Sequence, residues 1–323
     1  MVFDFLGLSS PLASLPLAAI ASHLMSPPST EGDANVSTLE ATTPVSDGHD
    51  GAASVLDRMG TNPELIQDKP GTLPLMLIHD GGGTALAYRL LGDIGRTILG
   101  IHCPGLREGK GIVSIRHAAD QYAHFARQWL DQHSPRHSRL VIGGWSLGGI
   151  IAIALAAAHP DVVAGVVLLD PPPPETAAMK SDEAEQLIHS RIKRPSGGFS
   201  AIVGAQLKMN SRSFSVDADR VGGYRDLAAN LRAPVYLVSA TEPLNHQLAK
   251  GTSLLSPGSP SEWMLSPQRA SLTEGAWSDL LGKLLVGTER IPGDHFTMFT
   301  FAHAESTTRA VQQAADTLEA IAV

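Results

Sequence analysis

Short apolar runs alternate with segments of helical periodicity along most of the chain. Apolar runs predict buried strands at residues 73–79, 97–102, 140–144, 162–169, 234–239 and 284–291. Apolar positions at helical spacing predict an amphipathic helix over residues 114–131 and a closing helix over residues 307–321. Alternating strands and helices are typical of a parallel sheet with helices on both faces, so the pattern predicts an α/β fold.

Two stretches depart from this alternation. Residues 26–53 are rich in Ser, Thr, Pro, Gly and acidic residues, which is the composition of a linker. Residues 171–230 open with four prolines and separate two core strands, and an insertion of this length most simply forms a lid, or otherwise a surface decoration. We therefore expect a largely disordered tail and linker over residues 1–70 and one domain over residues 71–323, with a lid at about 171–230.

Composition and charge argue against several classes of protein. The net charge is −8, and residues 1–70 hold nine acidic and two basic residues, so the remaining chain is nearly neutral and does not predict nucleic-acid binding. Cys103 is the only cysteine, and the histidines lack the H-E-x-x-H spacing of a zinc site, so we expect no disulfide and no metal. The N-terminus has no early basic residue, and no apolar run reaches the roughly 20 residues needed to span a bilayer. We expect a cytoplasmic protein without a membrane span.

The sequence GWSLG at residues 144–148 lies between a predicted strand and a helix-like apolar stretch at residues 149–156. A G-x-S-x-G sequence in this context is typical of a nucleophile elbow, which would lift Ser146 clear of the sheet. The flanking positions must be small because the turn is tight, which accounts for the glycines. The alternative interpretation is a glycine-rich turn with an incidental serine.

A serine nucleophile needs a base and an acid that orients the base. His295 is the best-placed base because it follows the last predicted strand, whereas His79 and His102 precede the serine. For the acid, Asp170 ends the strand after the elbow and Glu242 follows the next strand. Both lie at carboxyl ends of predicted parallel strands, where catalytic groups gather, so strand position does not separate them.

An oxyanion hole needs two backbone N–H donors. Leu147, directly after the serine, is one candidate, and the glycine-rich turn HDGGG at residues 79–83 offers the other because glycines let the backbone approach a substrate. A phosphate-binding loop is the rival interpretation of the three glycines. The turn lacks both the lysine of a Walker motif and the G-x-G-x-x-G spacing, so we favour the oxyanion hole.

These motifs resemble the type I thioesterase domains of polyketide synthases and nonribosomal peptide synthetases, above all those that end fungal non-reducing polyketide synthases. The resemblance covers about residues 72–323 and rests on LIHDGGG, IHCPG, GGWSLGG, LDP and GDHFTM, which begin at residues 77, 101, 143, 169 and 293. It implies the α/β-hydrolase fold, with a mostly parallel sheet and a helical lid. It also implies a catalytic triad of Ser146, Asp170 and His295, which favours Asp170 over Glu242, and oxyanion donors from Gly81 and Leu147.

The resemblance further implies a thioesterase that releases a polyketide-type acyl chain from a phosphopantetheine carrier through an acyl-Ser146 intermediate. Release would occur by hydrolysis or by intramolecular cyclisation, with no cofactor and with an acyl carrier protein or carrier domain as partner. Residues 6–15 faintly resemble the phosphopantetheine-serine region of a carrier but lack its Asp-Ser pair, so we expect a free-standing enzyme or an excised terminal domain. The alternatives are a small-molecule carboxylesterase and a non-catalytic α/β-hydrolase-like binding protein.

Overall fold

The computed structural model describes residues 62–134, 136–174, 210, 226, 228–244 and 260–322. The predicted tail up to residue 61 and most of the predicted lid lie outside these residues. Within them, seven strands form one sheet in the order β1-β3-β2-β4-β5-β6-β7. The strands are β1 (Glu64–Gln67), β2 (Leu75–Ile78), β3 (Ile98–Ile101), β4 (Leu140–Trp145), β5 (Val163–Leu169), β6 (Val235–Ala240) and β7 (Leu285–Ile291). Only the β1–β3 pair is antiparallel, so the predicted mostly parallel sheet is confirmed.

Helices cover both faces of this sheet. They are α1 (Ile115–His133), α2 (Leu147–Ala158), α3 (Pro260–Leu265), α4 (Arg269–Leu281) and α5 (Ala304–Ala322). Because side chains alternate along a strand, Met76 and Ile78 of β2 join a core with α1, α2 and α4, whereas Leu75 and Leu77 join a second core with α5. None of the helices in the described part of the chain is long and apolar enough to cross a membrane.

The sheet begins before residue 71, where the sequence placed the start of the domain. β1 is an edge strand whose Ile66 packs against the core, while Glu64 is buried and pairs with Arg89 and with His102 Nε2 at 2.8 Å. Because the buried position of Glu64 holds a charged residue, the strand lacks the alternation of apolar and polar residues by which strands are recognised. The two partners of Glu64 lie 25 and 38 positions further along the chain. Local periodicity therefore could not reveal this strand. The predicted boundary at residue 71 is too late by at least the length of β1.

Candidate active site

Ser146 occupies a strained turn between β4 and α2. Its backbone angles are φ 56° and ψ −120°, in a region that residues other than glycine rarely adopt. A Cβ on Gly144 would lie 2.4 Å from the carbonyl carbon of Gly148, and a Cβ on Gly148 would lie 2.4 Å from the carbonyl oxygen of Ile78. The two glycines are therefore required by close backbone contact, and the strand–turn–helix context expected of a nucleophile elbow is present.

The structure brings Ser146, His295 and Asp170 into one hydrogen-bonded chain. His295 Nε2 lies 3.1 Å from Ser146 Oγ, and His295 Nδ1 lies 2.7 Å from Asp170 Oδ2. A carboxylate can only accept, so Nδ1–H donates to Asp170 and Nε2 is left to accept from the Ser146 hydroxyl. This arrangement can remove a proton from Ser146 when the oxygen attacks a carbonyl group.

Asp170 is completely buried at the end of β5, and its backbone and side chain are both held by β6. Its backbone has φ 45°, its N–H donates to Val238 at 2.7 Å, and its Oδ1 accepts from the N–H of Ala240 at 3.0 Å. Burial alone would raise the pKa of Asp170, but the charge of Arg269 and the hydrogen bond from His295 hold this pKa below its usual value. Asp170 is therefore a carboxylate at neutral pH.

Glu242, the other acid that the sequence offered, contacts the loop around His295 rather than the imidazole. Its Oε1 accepts from the Gly293 N–H at 3.1 Å, and its own N–H donates to the Gly293 carbonyl at 2.9 Å. Glu242 thus fixes the start of the loop that carries His295. Of the two candidate acids, Asp170 is the one in contact with His295.

The turn that contains Gly81 lies beside the start of α2, which begins at Leu147. The backbone N–H of Gly82 donates to Asp80 Oδ1 at 3.0 Å, which gives the turn its shape. Leu147 is the first helical residue, and the first N–H groups of a helix have no acceptor within the helix. A Cβ on Gly148 would lie 2.4 Å from the carbonyl oxygen of Ile78 and 2.6 Å from that of His79, so the start of the turn lies close to the elbow. The two predicted oxyanion donors therefore belong to neighbouring segments.

Asn210 holds the same turn from the other side, and sequence reasoning did not find it. Its side chain is buried, donates from Nδ2 to the Gly81 carbonyl at 2.9 Å and accepts from the Ile112 N–H at 2.9 Å. Asn210 is 129 positions from Gly81 along the chain, inside the predicted lid. No local pattern marks it, because only the folded chain brings the two residues together.

Tyr88 is a second residue that the sequence did not single out. Its hydroxyl donates to the carbonyl of Ile78 at 2.5 Å and accepts from the N–H of Trp145 at 2.9 Å. The hydroxyl therefore ties the end of β2 to the residue immediately before Ser146. Tyr88 is only 1% exposed, so these bonds form out of contact with water.

His79 is a structural neighbour of the site, and its contacts do not suit a base. Its Nδ1–H donates to the carbonyl of Asp80 at 2.6 Å, and its Nε2 accepts from the hydroxyl of Tyr122 at 2.7 Å. Burial lowers the pKa of His79 to about 4. His79 is therefore neutral at physiological pH, with both ring nitrogens occupied.

Aromatic rings surround the imidazole of His295. The ring centroids of Trp145, Trp263 and Phe296 lie 5.5, 5.4 and 4.9 Å from that of His295. Trp263 also packs on the guanidinium of Arg269, which in turn contacts Asp170. Three apolar rings keep water from the base, which strengthens its hydrogen bonds to Ser146 and Asp170.

Comparison with known proteins gives consistent matches. A sequence model described as the α/β hydrolase fold matches residues 74–197. The chain is 43% identical over 266 residues to atrochrysone carboxylic acid synthase PKS4 of Calonarius odorifer, covering 82% of this chain and 16% of that protein. It is 28% identical to the probable thioesterase gloN of Glarea lozoyensis, covering 80% of this chain and 99% of that protein.

Solved structures agree on the fold. The NocB thioesterase domain from the nocardicin cluster superposes with a TM-score of 0.52 and 21% identity, covering 75% of this chain and 92% of that one. At this identity the likeness establishes the fold alone. The chain spans less than half the length of the first curated relatives it matches, which are a synthase, a nonribosomal peptide synthetase and a probable thioesterase.

Proposed function

We propose that this chain is a thioesterase that releases an acyl chain from a phosphopantetheine carrier through an acyl-Ser146 intermediate. Its similarity to a polyketide-type synthase and to a probable thioesterase, together with the α/β hydrolase fold, supports the proposal. The observation that carries the proposal is the hydrogen-bonded chain from Ser146 through His295 to Asp170. A carrier protein or carrier domain is the proposed partner.

In the proposed reaction, His295 Nε2 takes the proton of Ser146 while Oγ attacks the thioester carbonyl. The tetrahedral oxyanion accepts hydrogen bonds from the backbone N–H groups of Leu147 and Gly81. The C–S bond then breaks, and the phosphopantetheine thiol leaves with the proton from His295. The acyl group remains as an ester on Ser146, and Asp170 stabilises the imidazolium that exists between the two proton transfers.

The second half of the reaction frees Ser146 by attack of an acceptor on the acyl ester. Water gives a carboxylic acid, an internal hydroxyl gives a lactone, and an internal carbanion gives a cyclised ketone. We propose hydrolysis as the basic reaction, because water needs no particular fold of the acyl chain. Cyclisation uses the same ester and requires in addition that the chain bend back on itself before water attacks.

The contact between Asn210 and Gly81 makes a prediction about the proposed oxyanion hole. Asn210→Ala removes the donor to Gly81 and the acceptor for Ile112, so the turn can shift. Displacement of a catalytic group by about 1 Å costs up to about 10²-fold in rate, and we expect kcat to fall by about 10- to 100-fold with a smaller change in KM. Steady-state kinetics with an acyl-carrier thioester measure this. An increase in KM alone would contradict a role at the oxyanion hole.

The function itself is tested by offering the full chain two substrates that differ in one atom. A carrier domain loaded with a hexanoyl thioester is compared with the matching oxygen ester, and the peptide that contains Ser146 is analysed by mass spectrometry during turnover. We expect a hexanoyl adduct on Ser146 and faster turnover of the thioester. Preference for the oxygen ester would favour a carboxylesterase. Failure of a fluorophosphonate to label Ser146 in folded protein would favour a non-catalytic protein.

A further inference from the structure

A completely buried arginine contacts the acid of the proposed triad. Arg269, the first residue of α4, donates from Nη2 to Asp170 Oδ2 at 2.7 Å and from Nη1 to the carbonyl of Ala240 at 2.6 Å. The backbone N–H of the same Ala240 donates to Asp170 Oδ1. Carboxylate, guanidinium and the backbone of one residue of β6 thus close a ring. The side chains of Arg269 and Asp170 are each 1% exposed.

The stability of the fold does not by itself account for this pair. Taking two charges out of water is costly, and well-packed apolar residues of similar volume are often as stable as a buried ion pair. The arginine is moreover incompletely satisfied, because its buried Nε has no hydrogen-bond partner among the described residues. Arg269 is costly to desolvate and lacks one hydrogen bond, yet it contacts a candidate catalytic acid. This combination indicates a role in the site.

We propose that Arg269 is a positioning residue of the active site, which keeps the Asp170 carboxylate ionised and in the orientation that accepts from His295 Nδ1. This inference rests on the proposed triad. Arg269 and His295 share the oxygen Oδ2, while Oδ1 is held by Ala240, so the carboxylate cannot rotate without breaking one of three contacts. The acid is therefore fixed before the substrate arrives.

Arg269 is the permanently charged side chain that lies against Asp170 among the described residues. In the part of the chain that the structure describes, the charged or titratable side chains that bond to Asp170 are Arg269 of α4 and His295 of the loop after β7. Two further carboxylates hold the loop that carries His295. Glu242, which follows β6, accepts from the Gly293 N–H, and Asp294 Oδ1 accepts from the backbone N–H groups of the two residues after His295. Burial would raise the pKa of Asp170, and Arg269 is the largest influence that lowers it.

Trp263 of α3 fixes the guanidinium and the imidazole together. Its ring lies 4.7 Å from the guanidinium carbon of Arg269 and 5.4 Å from the His295 ring, and its Nε1–H donates to Thr273 of α4 at 2.7 Å. A planar guanidinium stacks flat on an aromatic face and directs donors from two separate nitrogens, whereas an ammonium group must serve every acceptor from a single nitrogen. The site therefore selects arginine rather than any positive charge.

The test uses the full chain and the rate at which a fluorophosphonate labels Ser146, measured across the acid and neutral pH range. Arg269→Gln removes the charge, and we expect labelling at neutral pH to slow by about 10- to 100-fold. Without the cation the buried carboxylate takes up a proton more readily. The acid limb of the pH profile, where labelling slows as the pH falls, should therefore move to a pH about 1 to 3 units higher. Arg269→Lys should return the acid limb to its wild-type position with only part of the rate, because it keeps the charge but lacks the rigid planar fork that holds Asp170 and Ala240 together.

Arg290→Gln is the matched control, since Arg290 is half-exposed on β7 and pairs with Glu274 away from the triad. Equal losses at every pH in Arg269→Gln and Arg269→Lys would show a purely structural role and overturn the proposal, as would a wild-type profile in Arg269→Gln. If Arg269→Gln does not fold, Arg269→Met takes its place, because it fills much of the same space without a charge. A raised acid limb in Arg269→Met supports the proposal, and a wild-type acid limb overturns it.

Labelling also separates this proposal from the proposed function. It requires Ser146 and His295 but neither a thioester nor a carrier. A wild-type chain that is labelled but does not turn over the carrier thioester would contradict the thioesterase proposal and leave the Arg269 comparison intact. A wild-type chain that is not labelled at Ser146 would overturn both.

Discussion

Replacement of Ser146 by alanine is expected to lower kcat for thioester release by about 10⁶-fold, as loss of the nucleophile does in serine hydrolases. The variant keeps the oxyanion turn and the pair of His295 with Asp170, so substrate binding should change little and KM should stay close to the wild-type value. Steady-state kinetics with a loaded carrier measure both quantities. Residual turnover at more than a small fraction of the wild-type rate would show that another group attacks the carbonyl.

Residue 146 also allows a test of backbone strain, through the stabilities of two variants. Ser146 holds φ 56° and ψ −120°, a combination that glycine adopts without strain and alanine does not. Ser146→Gly is therefore expected to unfold at a higher urea concentration than Ser146→Ala. The expected difference in the free energy of unfolding is about 1–3 kcal/mol. Both variants lack the nucleophile, so the comparison isolates backbone strain. Equal stability would mean that the elbow is not strained.

The elbow and the base could be predicted because both depend on short motifs and on chain order. Gly144 is dictated by close backbone contact with Gly148 inside the motif, and His295 follows the last strand in an order that few histidines satisfy. The acid could not be chosen from strand position, because Asp170 and Glu242 both follow strands that lie next to each other. The contacts separate them: the imidazole faces Asp170, and Glu242 faces Gly293.

The residues that support the site were not predictable from local patterns. Arg269 meets Asp170 across 99 positions of sequence, Asn210 meets Gly81 across 129, and Tyr88 meets Trp145 across 57. Each is a polar side chain that folding buries against a backbone group or a charge. A single sequence shows the residue type but not the partner, and an arginine at the start of a helix gives no sign that it is buried.

The second large effect is expected from Asp170→Asn. The amide can no longer hold the His295 tautomer that leaves Nε2 free to accept, and it cannot stabilise an imidazolium, so kcat should fall by about 10⁴-fold. Glu242→Gln is the matched control: its amide oxygen can still accept from Gly293, and we expect only a small change in kcat. A larger loss in Glu242→Gln than in Asp170→Asn, measured by the same thioester assay, would move the role of the acid to Glu242.

Asp170→Asn should also destabilise the protein, because it leaves the guanidinium of Arg269 buried without its counter-charge. Breaking a buried pair by removing one partner costs about 3–5 kcal/mol, which urea unfolding can resolve. The double variant Asp170→Asn with Arg269→Met removes both charges and is expected to recover most of this loss, while kcat stays low. Recovered stability without recovered rate would separate the two roles of Asp170, as partner of a buried cation and as orienting acid for His295. Recovery of neither would place the destabilisation in the contact between Asp170 and Ala240 instead.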